Sequence, residues 1–135
     1  MVDFIQSDVT YLYEPVSVHP AYLFKMSARD MARFGLLYLR NGEWEDKQVI
    51  PQSWIEESTQ GYSSTGPDAG HGYLWWVTKK GTAYRAGGLG GQLIIVIPKA
   101  NLVIVHVSNY DKSKIDSNQT FGKFIDDLLA AKMTW

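Results

Sequence analysis

The stretch 84–92, Tyr-Arg-Ala-Gly-Gly-Leu-Gly-Gly-Gln, is where this sequence comes closest to chemistry. Gly87, Gly88, Gly90 and Gly91 remove side chains from a backbone that another group can then approach. A tight turn between strands explains the same residues, and on the residues alone it is the stronger reading. Other chemistry has little support. No G-x-S-x-G elbow and no H-E-x-x-H zinc helix occurs. His19 and His71 have no partner at ligand spacing, so no metal site is expected. His106 alternates with Ile104 and Leu102, the pattern of a core or edge histidine rather than a base. No cysteine is present, which excludes disulfides and thiolate ligands. No cofactor is expected.

The elements that must position the glycine stretch surround it. Leu93–Pro98 and Leu102–Val107 are short apolar runs rich in β-branched residues, which predicts two strands. Their near-continuous hydrophobicity predicts burial on both faces. Pro98 ends the first run because it lacks an N–H for the ladder, and Asn101 tolerates a left-handed turn, so the pair is a hairpin. Upstream, residues 72–77 and 82–86 read as two more strands joined by Lys79-Lys80-Gly81. Trp75 and Trp76 then point to opposite faces, one into the core.

Residues 1–26 read as an irregular arm with Pro15, Pro20 and scattered aromatics. Ser27 is a natural N-cap with Asp30 at the capping-box position, and Met31, Phe34, Leu37 and Tyr38 recur at helical spacing. This predicts an amphipathic helix over 28–40, stopped by Asn41-Gly42. Residues 43–50 read as a small hairpin around Glu45-Asp46-Lys47. Pro51 suits the first turn of a helix running through Ser58. Turn formers fill 59–70, predicting a long, mobile loop. Phe121, Phe124, Ile125, Leu128 and Leu129 share one stripe, predicting a terminal helix over 119–132.

The 135 residues suit one domain, and 13 basic against 14 acidic side chains give a net charge of −1. Without a basic cluster, nucleic acid and anionic membranes are not expected partners. No apolar run approaches the ~20 residues that span a bilayer, and the N-terminus lacks signal-peptide character. A soluble chain is expected, cytoplasmic if made as given.

Ser27-Ala-Arg-Asp-Met-Ala-Arg-Phe-Gly-Leu-Leu-Tyr-Leu-Arg-Asn-Gly-Glu-Trp, Gln48–Trp54, Gly72–Trp76 and Gly88–Gln92 appear in one order, with a strand ending Val107-Ser108-Asn109. That order resembles the beta-lactamase and penicillin-binding-protein-like serine hydrolases. The similar branch holds class C beta-lactamases, their esterase relatives and 6-aminohexanoate-dimer hydrolases. The resemblance covers nearly the whole chain and implies the C-terminal part of such an enzyme. Two of the family's catalytic motifs are missing. No serine here has a lysine three positions on, and no tyrosine has an asparagine two positions on.

The family's third motif, K-T-G or H-x-G on a strand bordering the site, is matched here by Leu89-Gly90-Gly91. Leucine carries no charge and donates no hydrogen bond, so a penicillin carboxylate would lose an anchor. Backbone N–H groups at Gly90 and Gly91 could still help form an oxyanion hole. The resemblance thus implies substrate-binding positions at Gly88, Leu89, Gly90, Gly91, Gln92 and Asn109, with no catalytic residue in this chain.

Together these readings predict an α+β fold, an antiparallel sheet of about four strands flanked by N- and C-terminal helices, a partial beta-lactamase-like α/β domain. The expected function is a catalytically incomplete fragment of an ester or amide hydrolase. The alternative is a stand-alone, non-catalytic binding domain. Expected partners are a second copy, as a homodimer, or the upstream hydrolase segment, with a small ester or amide as possible ligand.

Overall fold

The computed structural model describes residues 10–13, 22–64, 69–78, 81–88, 91–108 and 130–131. Strands β1 (Thr10–Tyr13) and β2 (Tyr22–Lys25) pair antiparallel. Helix α1 (Ala28–Leu39) follows, then a small hairpin of β3 (Glu43–Trp44) and β4 (Lys47–Gln48), and helix α2 (Gln52–Ser58). The main sheet takes β5 (Ser63–Ser64), β6 (Ala69–His71), β7 (Trp76–Thr78), β8 (Tyr84–Gly88), β9 (Gln92–Ile97) and β10 (Leu102–His106). Every pairing in it is antiparallel, each strand beside its sequence neighbours, with β10 and β5 at the ends. The fold class is α+β, as expected.

Helix α1 starts and stops where local chemistry dictates. The Ser27 hydroxyl oxygen accepts from the Asp30 N–H and the hydroxyl donates to the Asp30 carboxylate. Arg33 donates to the other carboxylate oxygen at 2.6 Å, so the fully buried Asp30 is paired. At the other end the Asn41 N–H donates to the Tyr38 carbonyl and the Gly42 N–H to the Leu37 carbonyl. With Asn41 at φ 52°, this is a Schellman termination. Glu45 and Asp46 both have positive φ, which gives the β3–β4 link the primed turn that suits a two-residue hairpin.

The core lies between α1 and one face of the sheet. Tyr38, Trp75, Val77, Tyr84, Ile94 and Val96 are buried there, with Ile55 of α2. Phe34 and Tyr38 meet the Trp75 ring at centroid distances of 6.2 and 4.6 Å, and Tyr84 meets it edge-on at 5.1 Å. Burial pushes the Tyr84 phenol above its ordinary pKa. Strand β9 is buried from Leu93 to Ile97, hence on both faces. Strand β10 is only half-buried, and among the described residues it has one neighbour in the sheet.

Several expectations change. The stretch 1–26 is not wholly irregular, since β1 and β2 pair within it. The loop over 59–70 contains β5 and part of β6, and the four-stranded meander, β7–β10, is extended past β7 by these two strands into a six-stranded sheet. Short strands of serine, glycine and alanine carry no periodic apolar signal, so pairing alone defines them. Strand character begins at Trp76 rather than Gly72, because Leu74 sits at φ 64° and breaks the extended chain. Burial on both faces holds for β9 and not for β10. The helix expected over 119–132 falls outside the described residues apart from Ala130 and Ala131, which are helical.

Gly35 sets how closely α1 approaches the sheet. A Cβ there would lie 2.5 Å from Val103 Cγ1 and 2.9 Å from Ile94 Cγ2, both branch atoms of stiff β-branched side chains. Gly35→Ala is therefore expected to destabilise the protein by ~1–3 kcal/mol through overpacking. An unchanged midpoint in thermal denaturation would contradict this packing.

Candidate functional site

The hairpin β9–β10 has a defined register, with Leu93 opposite His106 and Ile97 opposite Leu102. Asn101, at φ 48° and ψ 51°, makes the turn at its closed end. At the open end the β8–β9 connection meets the C-terminal end of β10. Gly88 pairs with Gln92, so Leu89, Gly90 and Gly91 form the link between the two strands. Gly91 has φ 82°, a conformation that favours glycine.

Two side chains lock this end. The Gln92 amide nitrogen donates to the Ser108 carbonyl at 2.7 Å, and the Ser108 N–H donates back to the Gln92 amide oxygen at 3.3 Å. A side-chain amide thus extends the ladder past the last residue of β10. His106 Nδ1 lies 2.8 Å from the Gly91 carbonyl. A carbonyl only accepts, so Nδ1 carries the proton in this bond. Gly88, Gly91 and Gln92 are therefore brought together with His106 and Ser108. Leu89, Gly90 and Asn109 lie outside the described residues.

The sequence reading did not connect His106 and Ser108 to the glycine stretch. Only the hairpin register places them there. A second feature stands on β8 itself. Arg85-Ala86-Gly87 has the cation-x-glycine form and lies within the strand, whereas Gly91 lies beyond it in the turn. Ala86 packs with the α1-side core, so Arg85 and Gly87 occupy the opposite face. Arg85 is opposite Trp76 in register, and a Cβ on Gly87 would meet Leu93 and the Trp76 indole at 3.7–4.0 Å. Trp76 in turn meets His71 edge-on at 4.9 Å. Among the described residues the Arg85 side chain makes no hydrogen bond or ion pair.

Among the described residues, no group of three His, Asp or Glu is placed to hold a metal ion, and no helix is long and apolar enough to cross a membrane.

A helix laid on one face of an antiparallel sheet, with a glycine turn at the sheet's central hairpin, defines an α+β unit of the beta-lactamase-fold hydrolase type. The beta-lactamase family profile matches residues 5–122, and the chain belongs to that family. The 6-aminohexanoate-dimer hydrolase of Paenarthrobacter ureafaciens is 28% identical over 95 residues, 62% of this chain and 24% of that protein. A solved Bacillus anthracis structure assigned as a 6-aminohexanoate-dimer hydrolase superposes with a TM-score of 0.67 at 30% identity. That match covers 82% of this chain and 29% of the other. The chain thus spans less than a third of the length of either relative.

Removing the Gln92 amide tests the lock. Gln92→Ala leaves the Ser108 N–H and carbonyl without this partner, at an expected cost of about 1 kcal/mol. The Ser108 amide should also exchange its hydrogen faster. Unaltered exchange at Ser108 would show that Gln92 does not hold this segment.

Proposed function

We propose that this chain is the sheet-bearing C-terminal part of a serine hydrolase that cleaves an ester or amide through an acyl-serine. The observation that carries this is the match to 24–29% of two hydrolase-assigned relatives, combined with the absence of any S-x-x-K. The serine and its lysine come from outside this chain. The serine oxygen attacks the substrate carbonyl, the C–O or C–N bond breaks, and the leaving group takes the serine proton. Water then cleaves the acyl-serine, which releases the acid and restores the hydroxyl.

In this reading Gly88, Leu89, Gly90, Gly91, Gln92 and Asn109 form the rim of the substrate cleft, and Gln92 acts by holding Ser108 in place. Arg85 supplies the cation of the third motif, in the place assigned to Leu89 from sequence. It would offer a planar, permanently charged donor set to a substrate carboxylate or carbonyl. The non-catalytic alternative, a stand-alone binding domain, is favoured by one observation. Helix α1 and the sheet close a core from this chain's own residues.

A fluorophosphonate probe separates activity from its absence. The purified chain is expected to show no covalent adduct by intact mass, because no serine has a base at the required spacing. Stoichiometric labelling of one serine would overturn the proposal.

The same reading bears on assembly. Strand β10 pairs only with β9 among the described residues, and 102–107 holds neither a proline nor a charged Lys, Arg, Asp or Glu. Such an edge is a template for another strand. We expect the isolated chain to form a two-fold dimer through it, measured by light scattering coupled to size exclusion. A monomer at tens of micromolar would overturn that expectation.

A further inference from the structure

Away from the β8–β9 turn, the surface carries a cluster of aromatic rings that the hydrolase reading does not use. Trp54 of α2 meets Tyr73 at 5.5 Å, and Tyr73 stacks on Tyr62 at 5.3 Å with an interplanar angle of 18°. All three side chains are exposed, at 45%, 43% and 55% respectively. Rings placed in the core would be covered, and these are not.

Glu57 lies at the phenol end of the stack. The Tyr73 hydroxyl donates to its carboxylate at 2.9 Å, and the Tyr62 hydroxyl to its backbone carbonyl at 3.0 Å. The bond to Glu57 raises the Tyr73 phenol above its ordinary pKa, with a smaller contribution from burial. Trp54 and Glu57 are three residues apart on one helix and so share a side of it. Among the described residues no cation pairs with Glu57. Residues 48–64 contain no Lys or Arg, and Glu56 beside Glu57 is also acidic. Among the described residues, Glu57 therefore has no cation paired with it and an acidic neighbour in Glu56.

Aromatic faces and one carboxylate are the elements that recognise an organic cation. A divalent metal ion needs several oxygen ligands, and one carboxylate is too few. A neutral planar ligand would use the rings without using the charge. Leu74, next to Tyr73, is 86% exposed and held at φ 64°, a costly conformation for a branched residue. Its side chain adds apolar surface beside the rings. We propose that Trp54, Tyr62, Tyr73 and the Glu57 carboxylate form a surface site for an alkylammonium group. This proposal is independent of the acyl-transfer reading and stands or falls separately from it.

The test is an NMR titration of the whole chain, following the Trp54 indole N–H and the Tyr62 and Tyr73 ring protons. The probes are tetramethylammonium, n-butylammonium and, as neutral isostere, n-butanol. Saturable shifts with both cations and none with n-butanol are expected. Glu57→Gln keeps a group that can accept from the Tyr73 hydroxyl and should weaken cation binding by ~3-fold or more. Tyr73→Leu should abolish it, with the β9 amide resonances showing whether the fold is retained. Equal shifts from n-butanol, unchanged affinity in Glu57→Gln, or no saturable shift from either cation would overturn the proposal.

Discussion

The close approach of α1 to β9 and β10 at Gly35 is the constraint on which the rest of the structure depends. A helix that comes this near buries Ile94, partly covers Val103 and leaves no room for a methyl group. With α1 on one face, β9 becomes the covered strand of the sheet, and its neighbours take their register from it. Trp75 then completes the core between Phe34, Tyr38 and Tyr84. Their buried area exceeds what a row of valines would offer at the same positions.

That register also builds the glycine-turn end. Because Leu93 faces His106, the residues just before β9 meet those just after β10, and Gln92 and Gly91 acquire Ser108 and His106 as partners. The described end of the turn is thus held by side-chain hydrogen bonds to backbone carbonyls. Such a rim is open, since Gly87 and Gly88 are exposed and present no side chain. On β8, alternation sends Ala86 into the core and Arg85 to the opposite face beside Trp76. A cation is therefore near the rim even though the turn itself carries none among its described residues.

Much of this was legible from residue types. The capping residues and 3.6-residue period gave away α1 to within a residue of its end, and Asn41-Gly42 marked a real left-handed stop. The β9–β10 hairpin followed from two β-branched runs interrupted by Pro98 and Asn101. What stayed hidden depends on pairing between segments. Ser63–Ser64 and Ala69–His71 have no strand signature of their own, and only each other's backbone makes them strands. Leucine gives no warning of the positive φ that Leu74 adopts. The contacts of His106 and Ser108 follow from register, and the place of Arg85 from where β8 ends. Neither is contained in local composition.

Strand β9 is the member of the sheet held by everything around it. Native-state amide hydrogen exchange tests this directly, because the most enclosed strand should open only when the whole chain unfolds. Ile94, Ile95 and Val96 are predicted to exchange last, with an opening free energy equal to that of global unfolding. Ser63 and Ser64, at the opposite end of the sheet, are predicted to exchange far sooner. Comparable exchange at Ile94–Val96 and Ser63–Ser64 would contradict the account.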